Sequence, residues 1–151
     1  MNFQTHEGRV AVITGAAGGF GQAFCVGLAK RGADIAAVDI QDASETVEQV
    51  RKLGRKAIAL TADISNPSAV AEAGAQIRSQ FRRCDILINN AGIYPNRSFD
   101  DLDYELWRKV QAVNLDSQVL MTKAVVDFMK ESGWGRIVNI TSNSIGLAAP
   151  G

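Results

Sequence analysis

Five short apolar runs, each followed by a polar or glycine-bearing turn and then by a helical pattern, constrain this chain more than any other feature. They occupy residues 10–14, 34–39, 57–61, 85–89 and 136–141. Their Ile, Val, Leu and Ala content is nearly continuous rather than alternating, the pattern of parallel strands buried on both faces. Helical patterns fall at 20–31, 43–53, 67–82 and 102–131. Pro67 suits a first helical turn with Asn66 or Ser65 as its cap, and Gly32, Gly54 and Gly133 stop the other three helices. Strict alternation of strand and helix gives right-handed crossovers, so the expected fold is α/β, a doubly wound parallel sheet. With 151 residues, 46% of them hydrophobic, the chain is expected to form one domain over 1–151.

In such sheets ligands collect outside the carboxyl ends of the strands. The first run leads into Thr14-Gly15-Ala16-Ala17-Gly18-Gly19-Phe20-Gly21, the second ends in Asp39, and the third stops just before Asp63 and Ile64. The fourth ends in Asn89-Asn90-Ala91-Gly92 and the fifth in Thr141-Ser142. Every conspicuous polar or glycine feature therefore falls at one edge. A strand, a glycine turn and a helix in that order let backbone N–H groups approach a pyrophosphate and point the helix dipole at it, which marks a dinucleotide site of the Rossmann type.

Asp39 lies roughly twenty residues beyond the glycine turn, where a carboxylate accepts hydrogen bonds from the adenosine ribose. It favours NAD over NADP, because a 2′-phosphate placed there meets a like charge, and positions 16 and 17 are alanines that offer no compensating cation. Asp63 either receives the adenine amino group or forms a turn before Pro67. Asn90, Ala91 and Gly92 are small or amide residues suited to close backbone approach, by a ligand or by neighbouring strands.

Two residues stand out downstream. Asn114 shares a helical stripe with Trp107, Val110, Met121, Val125 and Phe128, where an amide is costly unless it is paired. The stripe is wide for one sheet face, so core packing and a subunit contact through the 102–131 helix both remain open. Ser142 ends the fifth run, with Ser144 as a rival hydroxyl.

Net charge is zero and no run of like charges occurs, which argues against nucleic-acid and membrane-surface partners. Residues 1–8 lack an apolar signal core and no apolar segment reaches spanning length, so a cytoplasmic address is expected. Cys25 and Cys84 have neither metal-ligand nor disulfide spacing and read as ordinary thiols; no metal is expected.

In order and spacing these residues resemble the short-chain dehydrogenase/reductase family over the whole chain. Thr14-Gly15-x-x-x-Gly19-x-Gly21 is similar to its cofactor turn, Asn89-Asn90-Ala91-Gly92 to its second signature, and Gly135-Arg136-Ile137-Val138-Asn139-Ile140-Thr141-Ser142 to its fifth strand and active-site serine. The resemblance implies hydride transfer between a nicotinamide and a small carbonyl or alcohol substrate. It also implies that Asn114 supports the proton relay and that Ser142 hydrogen-bonds the substrate oxygen. Phe20 stands where the family usually has a branched aliphatic residue, a departure expected to alter only packing. The family's Tyr-x-x-x-Lys motif is expected beyond Gly151, and Tyr94 and Tyr104 lie too early to serve. The expectation is therefore the N-terminal part of an NAD-dependent oxidoreductase, inert by itself, with the C-terminal part of its sheet missing and its fifth strand an open, association-prone edge. The complete protein is expected to be a homo-oligomer. A module that binds NAD without turnover is the alternative.

Overall fold

Alternate side chains of β1 (Val10–Thr14) serve two different cores. Val12 packs on one face of the sheet, Ala11 and Ile13 on the other, as the two-residue period of a strand requires. The computed structural model describes residues 5–142. Within them β1 is joined by β2 (Asp34–Asp39), β3 (Ala57–Thr61), β4 (Ile86–Asn89) and β5 (Arg136–Asn139) in one parallel sheet of order β3-β2-β1-β4-β5. Ala11 is in register with Ile35 on one side and Ile86 on the other, and Ile86 with Arg136.

The order reverses at β1. Helices α1 (Gly19–Ala29) and α2 (Ser44–Lys52) cover one face, and α3 (Pro67–Phe81) and α5 (Ser117–Ser132) the other. The first face buries Cys25, Ile35, Val47, Val50 and Ile88 with Ile13; the second buries Val38, Ile77, Leu87, Met121, Val125 and Phe128 with Val12. Asn66 caps α3, accepting from Ser68 N at 2.9 Å, with Pro67 in the first turn. Gly74 lets α3 approach α5: a Cβ there would lie 3.2 Å from that of Ala124.

Three expectations need correction. The helix over 102–131 begins at α4 (Tyr104–Gln111) and is interrupted by a π-helical turn at Ala112–Asp116 before α5. Its apolar stripe is divided: Met121, Val125 and Phe128 are in the core, whereas Trp107 is 47% exposed and Leu115 and Val119 are exposed as well. Lastly β5 is not buried on both faces. Its four residues are all exposed, with Ile137 and Val138 at 39% and 44%, which agrees with the open edge expected of the fifth strand; an apolar run reports the character of a strand and not what covers it.

Candidate functional site

The ends of β1 and β4 are knitted together by a buried threonine. Thr14 Oγ1 accepts from the backbone N–H of Asn90 and of Ala91, each at 3.0 Å. The Asn90 side chain returns the contact, donating from Nδ2 to the Thr14 carbonyl at 2.9 Å and to the Gly15 carbonyl at 3.3 Å. Only glycine fits at 15, where φ is +67° and a Cβ would meet Asn90 Nδ2 at 2.8 Å and the Ala91 Cα at 2.9 Å. A Cβ at Gly21 would collide with the Gly15 carbonyl. Gly18 and Gly19 instead border open space, and among the described residues no side chain caps α1. The leading N–H groups of that helix are thus available to an anion.

A cavity of about 400 Å³ opens beside this turn, at the carboxyl ends of the strands. Gly15, Asp39, Asp63, Ile64, Ala91 and Gly92 all line it. Asp39 is held from two sides: Oδ2 accepts from Ala17 N at 2.8 Å and Oδ1 from Gln41 N at 2.9 Å. Asp63 accepts from the backbone and hydroxyl of Ser65 at 2.9 and 2.6 Å, so it forms the turn before Pro67 while also facing the cavity. Ile64 is 7% exposed, sharing the core with Val70.

Other candidates lie outside the cavity lining. Phe20 is 77% exposed on the first turn of α1. Asn114 sits in the π-helical turn and grips Ile93 through both backbone groups, accepting from its N–H at 2.8 Å and donating to its carbonyl at 2.9 Å. Nearby, Ser117 Oγ donates to the Val113 carbonyl at 2.6 Å and Gln118 Nε2 to the Asn114 carbonyl at 2.8 Å, serving acceptors in a turn where the regular ladder is widened. Ser142 is exposed, three residues past β5, and Ser144 lies outside the described residues. The two cysteines are buried and unbridged, and burial pushes both thiols up to about 12, beyond the range of a reactive thiolate.

Sequence reasoning missed several residues of this region. Ile40, Gln41, Lys109 and Val113 also line the cavity, the last two reaching it from α4 and the π-helical turn. Thr14 and Thr46 were overlooked as buried hydroxyls. Thr46 stands among the apolar positions Ala43, Val47 and Val50 of α2, and a lone hydroxyl in such a stripe is the signal that could have found it.

Residues 9–150 match the family model described as short chain dehydrogenase. The chain belongs to that family. It is 39% identical over 143 residues to 2-dehydro-3-deoxy-D-gluconate 5-dehydrogenase of Dickeya dadantii, a match that covers 94% of this chain and 56% of the relative. Among solved structures it is similar to carveol dehydrogenase from Mycobacterium avium in complex with NAD, with a TM-score of 0.88 and 30% identity over 95% of this chain and 58% of that one. A short chain dehydrogenase from Mycobacterium paratuberculosis bound to NAD gives a TM-score of 0.83 and 32% identity over 87% of this chain and 55% of that one. The chain spans a little over half the length of these relatives.

Proposed function

We propose that this chain is the coenzyme-binding part of an NAD(H)-dependent oxidoreductase that interconverts a carbonyl and an alcohol. One observation carries the reading: residues of four separate strand-to-helix turns, Gly15, Asp39, Asp63 and Ala91 among them, converge on one cavity. A dinucleotide fits this donor set. The glycine cradle admits a pyrophosphate against bare backbone, the uncapped start of α1 offers N–H donors, and the fixed Asp39 carboxylate offers acceptors to a ribose diol. Two solved relatives that hold NAD support the choice of coenzyme.

When bound, the nicotinamide supplies or takes up the hydride. The chain's own residues position and exclude. Asp63 and Ile64 border the adenine, Asn90 and Thr14 brace the turn, and Asn114 holds the loop after β4 at Ile93. Ser142 polarises the substrate oxygen. Neither Tyr94 nor Tyr104 has a lysine four residues on, so the proton-transfer step lacks a general acid/base within these 151 residues. Loss of such a group costs on the order of 10²- to 10⁴-fold, so the chain alone binds coenzyme with almost no turnover. The exposed Trp107, Leu115 and Val119 support a subunit contact through α4 and α5 in the complete protein.

The test pairs binding with turnover. Asp39→Ala is expected to weaken NAD binding by about tenfold or more and to erase preference over NADP. An unchanged preference would overturn the ribose role. Steady NADH formation or consumption by this chain with a panel of ketones and alcohols would overturn its inertness.

A further inference from the structure

The peptide between Ala16 and Ala17 is gripped at both ends. Its carbonyl accepts from Thr46 Oγ1 at 2.8 Å, and its N–H donates to Asp39 Oδ2 at 2.8 Å. Thr46 is fully buried on α2, and its hydroxyl also accepts from Gln22 Nε2 of α1 at 3.0 Å. A hydroxyl carries a single proton. With the Gln22 amide occupying a lone pair, the Thr46 proton is directed onto the Ala16 carbonyl. Ala16 N donates to the Val38 carbonyl at 3.2 Å, which fixes the preceding peptide to β2, whereas the 16–17 peptide is held by side chains alone.

We infer that Thr46, oriented by Gln22, is a positioning residue for coenzyme selectivity: it locks the 16–17 peptide so that the Ala17 N–H holds the Asp39 carboxylate toward the adenosine ribose. The inference rests on the reading of Asp39 as the ribose acceptor. If the Ala16 carbonyl loses its donor, that peptide can rotate, and the Ala17 N–H leaves Asp39 as it does so. The carboxylate then has only Gln41 N to orient it. NAD, which uses the oriented carboxylate, loses affinity. NADP, whose 2′-phosphate occupies that place and is already repelled, loses less. A threonine that merely stabilised the fold would weaken both coenzymes alike.

Calorimetric titration of the chain with NAD and with NADP, alongside Thr46→Val, Thr46→Ser and Gln22→Leu, separates these cases. Thr46→Val, close in shape but without the hydroxyl, is expected to weaken NAD about tenfold and NADP less than about threefold. Thr46→Ser should stay within about twofold of the unaltered chain, and Gln22→Leu should fall between. Should Thr46→Val melt without cooperativity, Gln22→Leu, on a half-buried residue, decides by the same NAD-to-NADP ratio. Equal losses for both coenzymes, or no loss, overturn the inference while leaving the ribose reading intact. No NAD binding by the unaltered chain overturns both.

Discussion

Asn114 holds Ile93 by its N–H and its carbonyl at once, at 2.8 and 2.9 Å. The amide therefore meets both hydrogen-bonding groups of a residue that follows the Asn90-Ala91-Gly92 turn, and a Cβ at Gly92 would lie 3.3 Å from Asn114 Oδ1. Neither leucine nor aspartate reproduces this pair: leucine lacks both groups, and a carboxylate cannot donate to the Ile93 carbonyl. Asn114→Leu and Asn114→Asp are each expected to lower stability by about 1–3 kcal/mol. Urea denaturation of the two variants measures it, and an unchanged midpoint in both would refute the brace.

The glycine turn separates backbone need from ligand need. Gly15 is at positive φ and hemmed by Asn90 and Ala91, whereas Gly18 has extended backbone at φ −165° and faces open space. Gly15→Ala should cost about 2 kcal/mol or more in stability. Gly18→Ala should change stability by less than about 0.5 kcal/mol. Thermal melts of both variants give the comparison directly.

Thr14 is a buried acceptor for two N–H groups, so Thr14→Val strands both donors of Asn90 and Ala91. The expected loss is about 2–4 kcal/mol, with most of it recovered in Thr14→Ser. Equal melting of the valine and serine variants would show that the hydroxyl is not what joins β1 to β4.

The buried thiols make stability fall in alkali. Burial raises Cys25 and Cys84 from 9.0 to about 12 in the folded chain, so their stabilising share is whole below pH 9 and is lost as pH climbs toward 12. A Cys25→Ala/Cys84→Ala variant should show a shallower decline from pH 9 toward 12. Both thiols should also resist alkylation at pH 8 until urea unfolds the chain; rapid alkylation of the native chain would contradict their burial.

The uncovered β5 edge carries Val138 at 44% exposure in a strand with no charge after Arg136. Val138→Lys places a charge on that edge and should reduce self-association. Sedimentation velocity at rising concentration reads the effect, and identical profiles for the two chains would remove β5 from consideration.

Much of this was legible because buried parallel strands write themselves as apolar runs. The first three predicted strands coincide with β1, β2 and β3, and the residues at their carboxyl ends do share a rim. What escaped was whatever depends on a partner far away in sequence. The π-helical turn around Asn114 has no periodic signature, and the Ile93 backbone that its amide grips lies 21 residues away in sequence. Helical spacing puts Trp107 on an apolar face but does not say whether the core or another subunit covers it, and in the fold it is exposed. Thr46 is marked in the sequence by no more than a hydroxyl among apolar positions of α2, and its partner, the Ala16 carbonyl, lies 30 residues away.

The rim formed by the first four strands is proposed to receive an adenine dinucleotide. Amide chemical-shift mapping of the chain titrated with NAD tests it most directly. Saturable shifts concentrated on Gly15–Gly21, Asp39–Gln41, Asp63–Ser65 and Ala91–Ile93 are expected. No shifts on a folded sample, or shifts gathered around Arg51 and Lys56 at the opposite ends of the strands, would contradict it.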